Sequence, residues 1–149
     1  MTTIATTNPA TGEVERTFDA MTAEEVGRRI ARAAEAFASY RTTSIAQRAE
    51  WMHAAAGILD GERGRIGAML TKEMGKTLKA AEAEAAKCAA ACRFFADHAA
   101  EFLADRRPAD PEEVGASDAY VRYEPLGPVL AVMPWNFPLW QVVRFAAPG

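Results

Sequence analysis

The sequence predicts an α/β chain in which a helical layer, fronted by short strands, runs into the first strand–turn–helix unit of a larger sheet. Three observations predict it. Apolar residues recur at spacings of three and four over most of the stretch from Val26 to Phe102, the period of amphipathic helices. The run Val129–Met133 is continuously apolar, which suits a strand buried on both faces of a parallel sheet. It leads through Pro134-Trp-Asn-Phe-Pro138 into a short helical pattern, the order of a βα unit whose strand needs a partner from elsewhere. The expected division is 1–125, a helical segment with a hairpin and a bridging strand, and 126–149, the start of a second domain cut off in mid-architecture.

The elements follow in order. Ile4–Thr7 and Val14–Phe18 read as short strands around Asn8-Pro-Ala-Thr-Gly12, where Pro9 fixes φ and Gly12 accepts a positive one. Thr22 with Glu25 three residues on makes a capping box, and Val26, Ile30, Ala33 and Phe37 then predict a buried stripe. Ser44 opens the next helix, with Ile45, Ala49, Met52, Ala56 and Leu59 on its apolar face and an interruption at Gly61. A shorter helix around Ile66, Met69, Leu70 and Met74 ends at Gly75. The longest runs from about Leu78 to Leu103. Its seam of Leu78, Ala81, Ala85, Cys88, Cys92, Phe95, Ala99 and Phe102 is mostly small, so a neighbouring helix can approach closely. Pro108, Pro111 and Gly115 make 106–117 a loop, Tyr120–Glu124 alternates like a strand with one exposed face, and Phe137 to Ala147 predicts a short helix stopped by Pro148.

Composition excludes several classes of function. Of 149 residues half are apolar and a quarter charged, the balance of a globular protein, and the net charge of -3 lacks the basic field a nucleic-acid binder needs. No charge occurs between Glu124 and Arg144, a length that would span a membrane, but four prolines in that stretch argue against a membrane helix. Met1 to Asn8 carries neither a basic leader nor a long apolar run, so a secretory signal is not expected and a cytoplasmic location is the default. Cys88 and Cys92 are too few for a disulfide framework and, with no further His or Cys beside them, no metal set is expected. His53 and His98 stand isolated and read as surface or structural residues.

Chemistry is concentrated near the C-terminal end of the chain. Asn136 follows the apolar run in an uncharged neighbourhood, just before a helix. A dry, preorganised side-chain amide there contributes about 3 kcal/mol to an acyl-transfer transition state, while an Asn in that place also caps helices. The residues alone leave both open. Trp135 sits where ligands gather beyond a sheet strand, or else in the core. Phe137, Trp140, Gln141 and Arg144 fall at i, i+3, i+4 and i+7 on one helix face. Arg144 among apolar residues fits two-pronged binding of a carboxylate, and fits equally a cation near a helix C-terminus.

Three segments, Asn8-Pro-Ala-Thr-Gly12, Glu73-Met-Gly-Lys76 and Pro125 to Pro138 with its Pro-Trp-Asn-Phe-Pro, resemble in order and spacing the hallmarks of the aldehyde dehydrogenase family. Ala86-Lys-Cys-Ala-Ala-Ala-Cys-Arg-Phe94 and Val143-Arg-Phe-Ala-Ala-Pro148 resemble its bacterial succinate-semialdehyde group. The resemblance implies that 126–149 begins a Rossmann-like dinucleotide-binding domain and that the intact enzyme oxidises an aldehyde with NAD or NADP through a cysteine thiohemiacetal. Asn136 would steady the oxyanion. Met133, Pro134, Trp135 and Asn136 would line the nicotinamide end of the cofactor. Phe137, Trp140, Gln141 and Arg144 would line the substrate tunnel, with Arg144 choosing an aldehyde that carries a distant carboxylate. Neither Cys88 nor Cys92 matches the family's nucleophile. That Cys, the general-base Glu and the glycine-containing cofactor motif lie further along in the family, so the segment alone is expected to be inactive and its parent a homo-oligomer. Two other readings stand beside this one: a dehydrogenase for uncharged aldehydes, and a non-catalytic helical interaction protein built on the small-residue seam.

Overall fold

The structure is a computed structural model and describes residues 3–108 and 110–149. Its element order is β1 (Thr3–Thr7), β2 (Val14–Asp19), α1 (Ala23–Tyr40), α2 (Ile45–Gly61), α3 (Arg63–Met74), α4 (Leu78–Phe102) and α5 (Pro138–Ala146), with a single 3-10 turn at Pro111–Val114. No helix among the described residues is long and apolar enough to cross a membrane.

The hairpin forms as its turn residues dictate. Asn8 Oδ1 accepts the Ala10 N–H at 2.9 Å, Gly12 takes φ 75°, and β1 pairs antiparallel with β2. The capping box of α1 is complete, because Thr22 Oγ1 accepts from the Glu25 N–H and Glu25 Oε2 accepts from the Thr22 N–H. Ser44 caps α2 and Thr77 caps α4 in the same manner.

Helix α4 is the spine. Its small seam admits α2, α3 and α5. One apolar cluster joins Ile66, Leu70, Ala81 and Ala85, with Leu59 and Leu139 packed against it. A second joins Ala56, Ala89 and Cys92, with Met52, Leu59 and Val143 against it. Gly67 lets α3 approach this closely, since a Cβ there would meet the Glu82 side chain at 2.7 Å. Arg93 of α4 pairs with Asp60 of α2, and the Arg93 and Arg63 guanidiniums hold the Asp60 carboxyl below the usual carboxylate range.

Four expectations are corrected. The stripe on α1 is not buried: Val26 is 44% and Ile30 66% exposed, because no described element packs along that helix. Its anchorage is at its end, where the Arg48 guanidinium of α2 lies 4.4 Å over the Tyr40 ring. Val129–Met133 forms no strand, with Leu130 89% and Val132 86% exposed, since a strand needs a ladder partner and none is supplied. Tyr120–Glu124 shortens to one bridge, Val121 with Arg106. The loop 106–117 contains a helical turn after all, started by Asp110 Oδ1 accepting from the Glu112 N–H and closed by Gly115 at φ 68°. Within otherwise correct helices, Met69, Leu78 and Phe102 are exposed.

The hairpin and α3 meet at Gly75, which ends α3 at φ 80°; a Cβ on it would meet Pro9 Cγ at 2.9 Å. Lys72 Nζ also donates to Glu15 Oε2 of β2 at 3.0 Å. Gly12 shares the positive φ but faces open space. Gly75→Ala is therefore expected to lower the unfolding free energy in urea by about 1–2 kcal/mol for the left-handed backbone plus a steric contribution from Pro9. Gly12→Ala should show the backbone part alone, and equal losses for the two would contradict the Pro9 contact.

Cys88 is fully buried and Cys92 nearly so. Burial first, then the neighbouring Glu84 carboxylate, pushes the Cys88 thiol up to about 12, and burial raises Cys92 as well. These thiols behave as small apolar groups, as their place on the seam predicts. The folded chain holds the Cys88 proton to higher pH than the unfolded chain does. Its contribution to stability is complete below the ordinary thiol value of 9.0 and is lost as pH rises toward about 12. Alkylation at neutral pH followed by peptide mapping should label neither cysteine until denaturant is added. Labelling of Cys88 in the native protein would contradict its burial.

Candidate functional site

The segment from Pro125 to Pro134 has no regular structure, and Gly127 turns it with φ 120°. A turn over Trp135 and Asn136 then delivers the chain into α5. Pro138 is the first helical residue, where its missing N–H costs nothing and its fixed φ is already helical. The helix thus starts one residue later than its sequence pattern predicts, with Phe137 as N-cap at φ −138° and ψ 71°.

Phe137 has no side-chain oxygen with which to cap, and Asn136 does not do so either. The capping reading of Asn136 is therefore set aside. The orphan donors at the start of α5 are met from α4. Glu84 Oε1 accepts the Leu139 N–H at 3.0 Å and the Trp140 N–H at 2.9 Å, the two positions a capping side chain would serve. Glu84 Oε2 pairs with Lys76 Nζ, and the side chains are 8% and 2% exposed for lysine and glutamate respectively. The carboxylate also lies at the positive end of the α5 dipole.

Two cations hold the aromatic rings at the start of this helix. Lys76 Nζ sits 4.1 Å from the centroid of Phe137, and Lys87 Nζ sits 3.8 Å from that of Trp140. Leu139 and Val143, four residues apart, enter the two apolar clusters on α4. A nine-residue helix is marginal on its own, and these two side chains are only partly covered. Their burial contributes less than the roughly 1.5–3 kcal/mol of a fully buried side chain, so the polar bonds at the N-terminus matter comparably.

Of the residues singled out from the sequence, Met133 is half-buried, while Pro134, Trp135 and Asn136 are exposed, Trp135 at 80%. Trp135 thus takes no part in the core of this chain. The Asn136 amide makes no hydrogen bond to another described residue and is free to donate to one. Phe137 at the N-cap and Trp140 on α5 lie under the lysines, Gln141 is half-buried, and Arg144 stands exposed in the last turn. Trp135 and Asn136 form the turn, Met133 and Pro134 lead into it and Phe137 leaves it, while Arg144 stands about two helical turns further on.

Sequence reasoning named Lys76 only as part of a motif and did not name Glu84 or Lys87 as site residues at all. A signal for Glu84 was present. It falls between Ala81, Ala85 and Cys88, so it is a charge on the buried seam of α4, and a buried charge requires a partner.

The contacts also join the three motif segments. Pro9 meets Gly75, Lys76 meets Glu84, and Glu84 meets the N-terminus of the helix that follows Pro134–Phe137. Comparison with known proteins gives the family. The model of the aldehyde dehydrogenase family matches residues 1–149. A Mycobacterium tuberculosis protein named succinate-semialdehyde dehydrogenase [NADP(+)] 1 is 61% identical over 146 residues, covering 98% of this chain and 32% of its own length. A Mycobacterium avium succinate-semialdehyde dehydrogenase [NADP(+)] is 59% identical over 147 residues, covering 98% and 31%. The solved succinic semialdehyde dehydrogenase of Streptococcus pyogenes in complex with NADP+ superposes with a TM-score of 0.88 at 34% identity, covering 97% of this chain and 31% of that one. The NADP-dependent glyceraldehyde-3-phosphate dehydrogenase of Bacillus halodurans gives 0.88 at 29%, covering 99% and 31%. The chain spans about a third of the length of the relatives it matches. With a match from its first residue to its last, it belongs to the aldehyde dehydrogenase family.

Proposed function

We propose that these residues are the N-terminal part of a succinate-semialdehyde dehydrogenase that oxidises its aldehyde to the acid with NADP, or with NAD, through a cysteine thiohemiacetal. The identity of 59–61% to mycobacterial relatives carrying that name is the observation that carries the reading. Its nucleophilic Cys and general-base Glu belong to the part of the enzyme beyond these residues. The apolar surface left bare here supports it: Leu126 is 99%, Leu130 89% and Val132 86% exposed, and such a patch calls for covering strands. The rival reading, a free-standing helical interaction protein, gives these residues no cover.

In this reading 126–149 opens the dinucleotide-binding domain, and the bound nicotinamide supplies the hydride acceptor. The residues present fit such a group, because the turn Met133–Asn136 is open, with Pro134 and Trp135 exposed. Asn136 donates its amide N–H to the oxyanion of the thiohemiacetal. Phe137, Trp140 and Gln141 wall the substrate path, and Arg144 holds the distant carboxylate of the substrate. The enzyme would be a cytoplasmic homo-oligomer.

In the full-length enzyme, Asn136→Ala is expected to lower kcat by about 10²–10³-fold, the typical loss of one oxyanion donor. Arg144→Leu is expected to raise KM for succinate semialdehyde by roughly 10-fold or more, the value of a charge-assisted bond, and to leave a neutral aldehyde unaffected. An unchanged preference between the two aldehydes would refute the carboxylate assignment and favour a dehydrogenase for uncharged aldehydes.

A further inference from the structure

We propose that Glu84, anchored by Lys76, is a positioning residue for the reaction: it fixes the first turn of α5 and thereby the Asn136 amide, which precedes the N-cap Phe137. The inference rests on the reading of Asn136 as the oxyanion donor.

Five observations carry it. Glu84 is 4% exposed, and both its oxygens are used, Oε2 by Lys76 and Oε1 by the backbone N–H groups of Leu139 and Trp140. Those bonds cross 55 and 56 residues of sequence, so they tie α5 to a separate helix and not to its own preceding turn. No side chain at the start of α5 substitutes for them, because Phe137 at the N-cap offers no capping oxygen. The Lys76 ammonium adds a second hold on the same turn through the Phe137 ring, at 4.1 Å from its centroid. Asn136 is the residue before Phe137 and is exposed, with no hydrogen bond of its own to a described neighbour. Its placement depends on the backbone to which it is attached, and Glu84 fixes that backbone two and three residues on the C-terminal side of Phe137.

An oxyanion donor acts only when it stands where the charge develops, and a displacement of about 1 Å can cost about 10²-fold in rate. Glu84 therefore contributes to turnover without touching substrate. Its loss should appear chiefly in kcat, with a smaller rise in KM for the aldehyde, because Glu84 also holds the backbone of Trp140 on the substrate-binding face of α5.

The test is a kinetic double-mutant cycle in the full-length enzyme. Glu84→Ala should lower kcat by about 10–10²-fold. Glu84→Gln keeps an acceptor oxygen for Leu139 and Trp140 but loses the ion pair to Lys76, and should fall between Glu84→Ala and the wild type. In an Asn136→Ala background both effects should shrink to within about 2-fold, since there is no longer a donor to misplace. A merely structural role would lower kcat by the same factor in both backgrounds, and that result would overturn the proposal. So would wild-type kcat for both Glu84 variants. If Glu84→Ala does not fold, Glu84→Gln alone carries the comparison between backgrounds with the same two outcomes. The single variant Asn136→Ala separates the two readings. Unchanged kcat there refutes the oxyanion role and this inference with it, whereas a large loss there combined with additive Glu84 effects refutes only the positioning.

Discussion

Glu84 and Lys76 are taken out of water together, and the architecture around the candidate site follows from how that cost is met. Desolvating each charge costs several kcal/mol, which a buried pair recovers only when its remaining hydrogen-bonding capacity is also used. Here it is: one carboxylate oxygen takes the lysine, and the other takes two backbone N–H groups at the mouth of α5. Removing one partner alone would leave an uncompensated buried charge, a loss of about 3–5 kcal/mol. The pair thus binds α4 to α5 more stringently than the partial burial of Leu139 and Val143 does, because apolar contacts tolerate sliding and a doubly bonded carboxylate does not.

The same pair explains why motif segments far apart in sequence occur together. Gly75 must be glycine on two grounds, its positive φ and the approach of Pro9. The left-handed stop it makes sends the chain on to Lys76 and the Thr77 cap, from which α4 begins. Two turns into α4 stands Glu84. Hairpin, helix stop, ion pair and the turn before α5 form one mechanical sequence, each holding the next by a contact of a different physical kind.

Local structure was legible in the sequence wherever the deciding interaction is local. The Thr22 and Glu25 capping box, the Ser44 cap, the Gly75 stop and the extent of α4 all depend on residues within a few positions of one another. What depended on distant partners was not legible. The α1 stripe has the right period but no described helix or strand packs along it, and Val129–Met133 has strand composition without a ladder among the described residues. The site divided in the same manner. Asn136 and its neighbours stand in a conspicuous uncharged segment. Glu84 lies in an alanine-rich helix beside another glutamate, and only its register on the seam separates it from an ordinary solvated charge.

A helix whose start is satisfied by a side chain from another element is not a transplantable unit. A designer grafting residues 134–146 onto a new scaffold would carry the visible motif and leave its acceptor behind, with the Leu139 and Trp140 donors unmet. The graft would need an imported carboxylate, and a cation behind that carboxylate to make its burial tolerable. The portable module is the turn, the glutamate and the lysine together, three pieces that no continuous stretch of this chain contains in compact form.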